Sequence, residues 1–151
     1  MGFRRKGREL AVQTLYSLEF IETDSLLQNF ELLNHYEEKL DEIIAANEIE
    51  TESTIYQFAK DLLYNSIKQM ETIDNEISKY STNWSFEKIA MVDKSVLRVA
   101  AYELMYTDTP AAIVMDEAIE ISKKFCSENS KKFINGVLNA LASKLTENKN
   151  G

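Results

Sequence analysis

The sequence predicts an all-α fold of about six or seven helices, and three observations lead to it. The chain of 151 residues contains one proline and four glycines, the residue types that turns and sheets use most heavily. Apolar residues recur every three or four positions through most of the chain, which is the spacing of amphipathic helices. No stretch alternates apolar and polar residues over a useful length, as a half-buried strand does. The chain is about one domain long.

The first half of the chain predicts three helices. The first is expected over about residues 4–20, with Ala11, Leu15 and Leu18 on its buried face. Asp24-Ser25 is expected to cap the second helix. The second helix is expected to bury Leu26, Phe30, Leu33, Leu40 and Ile44. A third and longest helix of about 28 residues is expected to begin near Thr51–Thr54 and to run to Ile77, because three-four spacing continues that far.

The second half predicts three longer helices after a break. Residues 81–85 interrupt the apolar pattern and predict a boundary between two packed subdomains, about 1–80 and 81–151. A short helix is expected near 86–91 and a longer one over 93–106, where Asp93 either caps the helix or meets a partner. Pro110 is expected to start a helix over 111–125. Ser130 is expected to cap the last helix, with Ile134, Val137, Leu138, Leu141 and Leu145 as its buried stripe.

The inventory of reactive residues indicates a protein without catalytic function. One cysteine and one histidine exclude a disulfide framework and a zinc site built on either residue type. We interpret Cys126 as a half-buried filler and His35 as exposed. The isolated glycines form no phosphate-binding loop. Together with the scarcity of cysteine and histidine, this predicts neither a metal nor a cofactor. No signal sequence or membrane span is visible, and the expected location is the cytoplasm.

Charge is distributed unevenly along the chain. The net charge is −8, but residues 1–10 carry +3 and residues 121–151 carry +4, while residues 11–60 carry −9 and residues 61–120 carry −6. Basic ends on an acidic chain favour contact with a polyanion at the ends and with a different kind of partner in between.

The first basic end consists of Arg4, Arg5, Lys6 and Arg8. Cations at a helix N-terminus oppose the macrodipole, so they cost helix stability unless an anion compensates. Guanidinium groups form bidentate hydrogen bonds with phosphate and stack on bases. Gly7 is a poor residue inside a helix, which suggests that the first turn orders only on binding.

The second basic end is the junction between the last two helices, and it predicts a phosphate-binding site. Its new helix N-terminus offers unpaired N–H groups together with Lys131 and Lys132. Phe133 lies off the apolar stripe, so it either stacks on a base or packs against the neighbouring helix. Gly136 costs about 1 kcal/mol relative to Ala in the middle of a helix, and we expect it to permit a close approach between helices.

Four motifs occur in order and together span nearly the whole chain. They are Arg4-Arg5-x-x-Arg8-Glu9-x-Ala11-x-Gln13-x-Leu15-Tyr16, Asp93-Lys94-x-x-Leu97-Arg98-x-Ala100-x-Tyr102-Glu103-Leu104, Pro110-x-x-x-x-x-Asp116-Glu117-Ala118-Ile119-Glu120, and Ser130-x-Lys132-Phe133-Ile134-Asn135-Gly136-Val137-Leu138. Together these motifs resemble the bacterial NusB family of transcription antitermination factors. Residues 22–80 match in helical character only.

The resemblance implies two three-helix bundles, no catalysis, and a shared task in transcription. Family members pair with the ribosomal small-subunit protein NusE, bind the boxA element of ribosomal RNA transcripts, and help RNA polymerase pass terminators with other Nus factors. The implied RNA-binding residues here are Arg4, Arg5, Lys6, Arg8, Lys132 and Phe133, with Asn129 and Ser130 beside them. We expect Lys131 to take part in the same site through its charge. The implied contacts with NusE are Tyr16 and Asp93.

Two positions depart from the family pattern. Lys131 adds a charge beside the expected RNA site. Asn129 is uncharged where the family often has an acid, which removes a repulsion from phosphate.

Two other functions remain open at this point. The same helical module is the RNA-binding part of ribosomal RNA cytosine-5 methyltransferases, which need a following catalytic domain with a nucleophilic cysteine. The chain could also be a structural interaction module, such as a homodimer that buries an apolar patch near Tyr16. That second function predicts no salt-sensitive binding of RNA.

Overall fold

A computed structural model describes residues 2–21, 28–81 and 85–150, and it confirms the all-α class. The described residues form seven α-helices and a short 3₁₀ helix, Phe86–Lys88, without any β-strand. The α-helices are α1 (Phe3–Leu18), α2 (Gln28–Ala46), α3 (Thr54–Lys68), α4 (Met70–Tyr80), α5 (Met91–Tyr106), α6 (Ala111–Phe125) and α7 (Glu128–Asn150). None of these helices is both long and apolar enough to cross a membrane. The expected cap Asp24-Ser25 and the buried Leu26 lie outside the described residues, as do residues 82–84 of the expected break.

The chain divides into two compact units, Met1–Met70 and Glu71–Gly151. In the first unit α1, α2 and α3 pack against one another in pairs. The expected face of α1 is confirmed, since Ala11, Leu15 and Leu18 are buried. This three-helix bundle fixes the direction of the basic residues in the first turn of α1.

The buried face of α2 agrees with the expected one at Leu40 and Ile44 and differs from it elsewhere. Phe30 is 65% exposed and Leu33 is half-buried, whereas Leu32 and Tyr36 join Leu40 and Ile44 in the core. These four residues lie four positions apart and form one line along the helix. The apolar spacing alone does not distinguish this line from the neighbouring one through Phe30, because it does not show whether Tyr36 is buried. A tyrosine can belong to the core when its hydroxyl is hydrogen-bonded. The Tyr36 hydroxyl donates to Glu37 at 3.3 Å.

The expected helix of about 28 residues is two helices. The Ser53 hydroxyl accepts the backbone N–H of Tyr56 at 3.1 Å and caps α3, which confirms the start signal in residues 51–54. The helix ends at Gln69, where φ and ψ are −100° and 11°, and α4 begins at once. Both α3 and α4 bury an apolar face, each in its own unit. Three-four spacing therefore continues across the break, and the sequence pattern does not reveal it. The division between units consequently falls after Met70, about ten residues before the boundary that the sequence pattern suggests.

In the second unit α5, α6 and α7 pack in pairs. The side chain of Arg98 links α5 to α4, because its Nε and one terminal nitrogen donate to the two carboxylate oxygens of Asp74 at 2.8 and 2.9 Å. The guanidinium also lies 5.4 Å from the ring of Phe86, which connects the 3₁₀ helix to α5. On α7 the expected stripe is buried at Ile134, Val137, Leu138 and Leu141.

Candidate nucleic-acid interface

The first turn of α1 presents three of the predicted RNA-binding cations. Arg4 is exposed, and Arg5 and Lys6 are half-buried. The Arg4 guanidinium lies 5.5 Å from the ring of Phe3. The turn contains no acidic residue, and its N-cap, Gly2, supplies no side-chain cap. The positive end of the helix dipole and the cations therefore add, which makes this turn attractive to an anion.

Gly7 and Arg8 have a structural role that the sequence analysis missed. A Cβ atom at Gly7 would lie 2.5 Å from Cδ2 of Phe58, so the glycine allows this ring to rest directly on the backbone of α1. Arg8 is only 5% exposed, and its guanidinium lies 5.5 Å from the Phe58 ring. The expectation that Gly7 leaves the first turn unformed is wrong, because α1 is helical from Phe3 onward. Contact between Arg8 and RNA stays a prediction, and the buried guanidinium does not favour it.

Lys6 is attached to the end of α2. Its amine donates to Oδ1 of Asn47 at 3.3 Å and lies 3.8 Å from a carboxylate oxygen of Glu9. At this helix end Glu48 adopts a positive φ of 57°, and the N–H of Ile49 bonds to the carbonyl of Ile44, as in a Schellman cap. Lys6 therefore also neutralises the negative end of the α2 dipole.

The junction between α6 and α7 is shorter than expected. Only Cys126 and Ser127 separate the two helices. The Ser127 hydroxyl accepts the backbone N–H of Ser130 at 3.2 Å, so Ser127 caps α7. The expectation that Ser130 is the cap is wrong, because α7 already begins at Glu128 and Ser130 lies within its first turn.

This junction borders a cavity of about 190 Å³. Residues from the 3₁₀ helix, α5 and α7 line it: Lys88, Ile89, Ala90, Asp93, Asn129, Ser130 and Phe133. Phe133 is half-buried and contributes to the cavity wall, so part of the ring packs within the fold, and stacking of a base on it stays a prediction. The Lys131 amine is 2.7 Å from the Glu128 carboxylate, whereas Lys132 points to solvent.

Asp93 does not cap α5, contrary to one of the two expectations. The N-cap of that helix is Ala90, without a side-chain hydrogen bond, and the Asp93 carboxylate is buried. The pKa of the Cys126 thiol is raised to about 12. Burial is the largest cause, the hydrogen bond to Asp93 and the charge of its carboxylate add to it, and a hydrogen bond with Ser122 opposes them. The half-buried Cys126 matches its interpretation as a filler.

Tyr16 forms an exposed aromatic pair near the end of α1. It is 38% exposed, and Phe20, which is 63% exposed, meets it edge to face at 5.2 Å. Exposed aromatic rings of this kind are typical of surfaces that bind another protein. Sequence reasoning missed Phe20, although its i+4 spacing from Tyr16 was a usable signal.

Comparison with known proteins identifies the family. The family model described as the NusB family matches residues 5–143 of this chain. The chain belongs to the NusB family. The transcription antitermination protein NusB of Elusimicrobium minutum is 38% identical over 153 residues, covering 100% of this chain and 99% of that protein. The NusB protein of Citrifermentans bemidjiense is 36% identical over 148 residues, covering 97% and 99%.

Solved NusB structures share the fold. A crystal form of T. maritima NusB matches with a TM-score of 0.75 at 32% identity, covering 93% of this chain and 90% of that one. The crystal structure of the antitermination factors NusB and NusE in complex with dsRNA matches with a TM-score of 0.78 at 25% identity, covering 95% and 98%. The NusB family resemblance and the all-α architecture are both confirmed.

The cavity includes one cation that sequence reasoning missed. Lys88 is exposed at the cavity rim, and no spacing in the sequence relates it to Asn129 or Phe133. Across residues 2–21, 28–81 and 85–150, no cluster of three or more His, Cys, Asp or Glu side chains could hold a metal ion.

Proposed function

We propose that this protein is a transcription antitermination factor that binds boxA RNA of ribosomal RNA transcripts together with the ribosomal protein NusE. The observation that carries the proposal is the likeness to the solved complex of NusB and NusE with dsRNA, at a TM-score of 0.78. The naming of full-length relatives as antitermination proteins supports the same function. The protein would act without catalysis or a cofactor, in the cytoplasm, where it reaches RNA polymerase through other Nus factors.

We propose RNA contacts within each unit. In the first unit they are Arg4 and Arg5, with Lys6 beside them. In the second unit they are Asn129, Ser130 and Phe133 at the cavity rim, and the neighbouring Lys131 and Lys132 of α7. Exposed cations supply attraction to phosphate, and the exposed part of Phe133 supplies a stacking surface for a base. We leave Arg8 out of the direct contacts, because its guanidinium is only 5% exposed.

The proposed NusE contact in the first unit consists of Tyr16 and its neighbour Phe20. A contact of NusE with Asp93 in the second unit stays a prediction, and the burial of that carboxylate does not favour it. The acidic middle of the chain suits a basic ribosomal protein and repels RNA. Each basic end carries few exposed cations, so we expect the protein alone to bind RNA weakly and to bind it tightly when NusE is present.

Fluorescence anisotropy of a labelled boxA-like RNA and a scrambled control would test the proposed function. The protein is titrated alone and with NusE. We expect preference for the boxA-like RNA, and affinity that increases when NusE is added. Equal affinity for both RNAs, or no effect of NusE, would contradict the proposal.

Arg5 and Arg8 provide a matched pair for the same assay. Replacement of Arg5 by alanine should weaken RNA binding and reduce the slope of log affinity against log salt by about 0.7 for each lost phosphate contact to single-stranded RNA. Replacement of Arg8 by methionine should leave that slope unchanged in the folded fraction and should lower the melting temperature, because its guanidinium is packed on Phe58. If instead the Arg8 variant reduces the salt slope and the Arg5 variant lowers only the melting temperature, Arg8 belongs to the RNA surface.

A further inference from the structure

Gly136 has no structural explanation within the described part of the chain. A glycine in a helix costs about 1 kcal/mol relative to alanine, and we expected a close approach of helices to require it. That expectation is wrong, because Gly136 is exposed and a Cβ atom built on it would meet nothing within 4 Å. Gly7, by contrast, lies directly under the ring of Phe58. The described residues therefore leave the space above Gly136 empty.

The surface around Gly136 is a polar face of α7 that lacks negative charge. Its exposed residues lie three or four positions apart: Lys132, Asn135, Gly136, Asn139 and Ser143. No Asp or Glu occurs from Asn129 to Thr146, although the chain contains 25 acidic residues and this is its longest run without one. The lysines within the run are Lys131, Lys132 and Lys144. We call the five exposed residues the α7 face.

The chemistry of the α7 face fits a nucleic-acid backbone better than a protein. Side-chain amides donate hydrogen bonds to phosphate and to 2′-hydroxyl oxygens, and a glycine lets a backbone approach the helix surface closely. A protein partner usually needs aromatic or aliphatic anchors in the centre of its interface, and the α7 face presents none. Because the α7 face has no carboxylate, it does not repel a polyanion.

We propose that the α7 face is a track for the backbone of RNA, continuing from the cavity rim toward the C-terminal end of the helix. The track starts at Lys132, next to Phe133, and extends about 16 Å to Ser143 at 1.5 Å per residue. This inference rests on the proposed function, because the RNA is the one that the cavity rim binds. It assigns Asn135, Gly136 and Asn139 to RNA binding.

The first test compares two isosteric substitutions. Asn139→Asp and Asn34→Asp each replace an exposed helical asparagine and add one negative charge, but Asn34 lies on the acidic helix α2. Asn139→Asp should weaken binding of the boxA-like RNA about fivefold, which corresponds to roughly 1 kcal/mol of repulsion from one nearby phosphate in water. Asn34→Asp should leave the affinity unchanged. Equal effects of the two substitutions would overturn the proposal.

The second test separates stability from binding. Gly136→Gln should raise the melting temperature by about 2–4 °C, because glutamine is a better helix former and its Cβ meets open space. The same substitution should weaken RNA binding, since its side chain would fill the track. A higher melting temperature with unchanged RNA affinity would overturn the proposal. A loss of NusE binding with RNA affinity intact would also overturn it and assign the face to the protein partner.

A control variant distinguishes failure of this inference from failure of the proposed function. Phe133→Ala alters the cavity rim and leaves all five residues of the α7 face in place. If the unmodified protein binds no RNA, the proposed function fails. If it binds RNA, and the rim variant weakens binding while Asn139→Asp and Gly136→Gln do not, only the track is wrong.

Discussion

The two basic ends of this chain look alike in sequence and differ in structure. At the start of α1, Arg8 is buried against Phe58 and Lys6 is bonded to Asn47. At the junction of α6 and α7, Lys132 is exposed and Phe133 borders an open cavity. The first end uses part of its charge to hold three helices together. The second end also pairs one lysine, Lys131, with Glu128, but it leaves Lys132 exposed beside the aromatic ring.

The difference shows that clustered positive charge does not by itself identify a binding surface. A guanidinium has a flat apolar face, so it can pack on an aromatic ring and contribute to a core. A lysine can stabilise the negative end of a neighbouring helix. Substitutions at the first end should therefore change stability and RNA binding together, whereas those at the second should change mainly binding.

The largest expected effect is on the reactivity of Cys126 at the second end. With the pKa of its thiol at about 12, only about one part in a thousand is thiolate at pH 9, compared with about half for a thiol of ordinary pKa near 9. Alkylation by iodoacetamide at pH 9 should therefore be roughly 500-fold slower in the folded protein than in urea.

Two variants check the cause of this slow alkylation. Asp93→Asn removes a hydrogen bond and a charge that raise the pKa, and it should accelerate the reaction. Ser122→Ala removes the hydrogen bond that lowers the pKa, and it should slow the reaction further. Equal rates in all three proteins would show that Asp93 does not contact Cys126.

The next effect is on stability at the first end. Phe58→Ala should lower the free energy of unfolding by about 2–4 kcal/mol, because the ring packs on Gly7, Arg8 and Phe3. Gly7→Ala should destabilise the parent protein by overpacking. The same substitution in the Phe58→Ala protein should stabilise it by up to about 1 kcal/mol, because the helix gains an alanine without a clash. Urea denaturation of the four proteins measures the coupling, and additive effects would contradict this packing.

A third effect contrasts aromatic residues in the two units. Phe133→Ala should reduce RNA affinity by about 1–3 kcal/mol if the ring stacks on a base. Phe20→Ala removes an exposed ring that belongs to neither basic end, and it should leave RNA affinity unchanged when NusE is absent. If Phe133→Ala lowers the melting temperature strongly and the folded fraction binds RNA normally, the ring is part of the core alone.

The smallest effect concerns the attachment of Lys6 to α2. Lys6→Met should lower the free energy of unfolding by about 0.3–1 kcal/mol at low salt, and by less at high salt. Glu48→Gly, at the same helix end, should raise stability by about 0.5–1 kcal/mol, because Glu48 has a positive φ that glycine adopts without strain. Thermal denaturation at two salt concentrations measures both, and an effect of Lys6→Met that is independent of salt would contradict the electrostatic explanation.

Much of the fold could be predicted from the sequence. The bounds of α6 agree with the expected residues, and most of the expected buried stripes on α1 and α7 are confirmed. These predictions succeed because a helix that buries one face must repeat apolar residues every three or four positions. The break at Gln69 could not be predicted, since α3 and α4 have the same three-four spacing of apolar residues, and only the structure shows that they bury these residues in different units.

The candidate site was only partly predictable. The motifs located both basic ends and the junction residues, and Tyr16 was singled out from the resemblance. The sequence did not relate Lys88 and Asp93 to Asn129 and Phe133, because only the packing of α5 against α7 brings these four residues around one cavity.

The sequence by itself determined the helical class, the unequal distribution of charge and membership of the NusB family. These depend on local spacing and composition, which a linear chain records directly. Tertiary structure alone decided which cation is buried and which glycine is covered. Gly7 lies beneath the ring of Phe58, and Gly136 faces open space. The cause is the same in both cases: the neighbours of a helical residue come from segments distant in sequence, and only packing determines which segment, if any, lies above it.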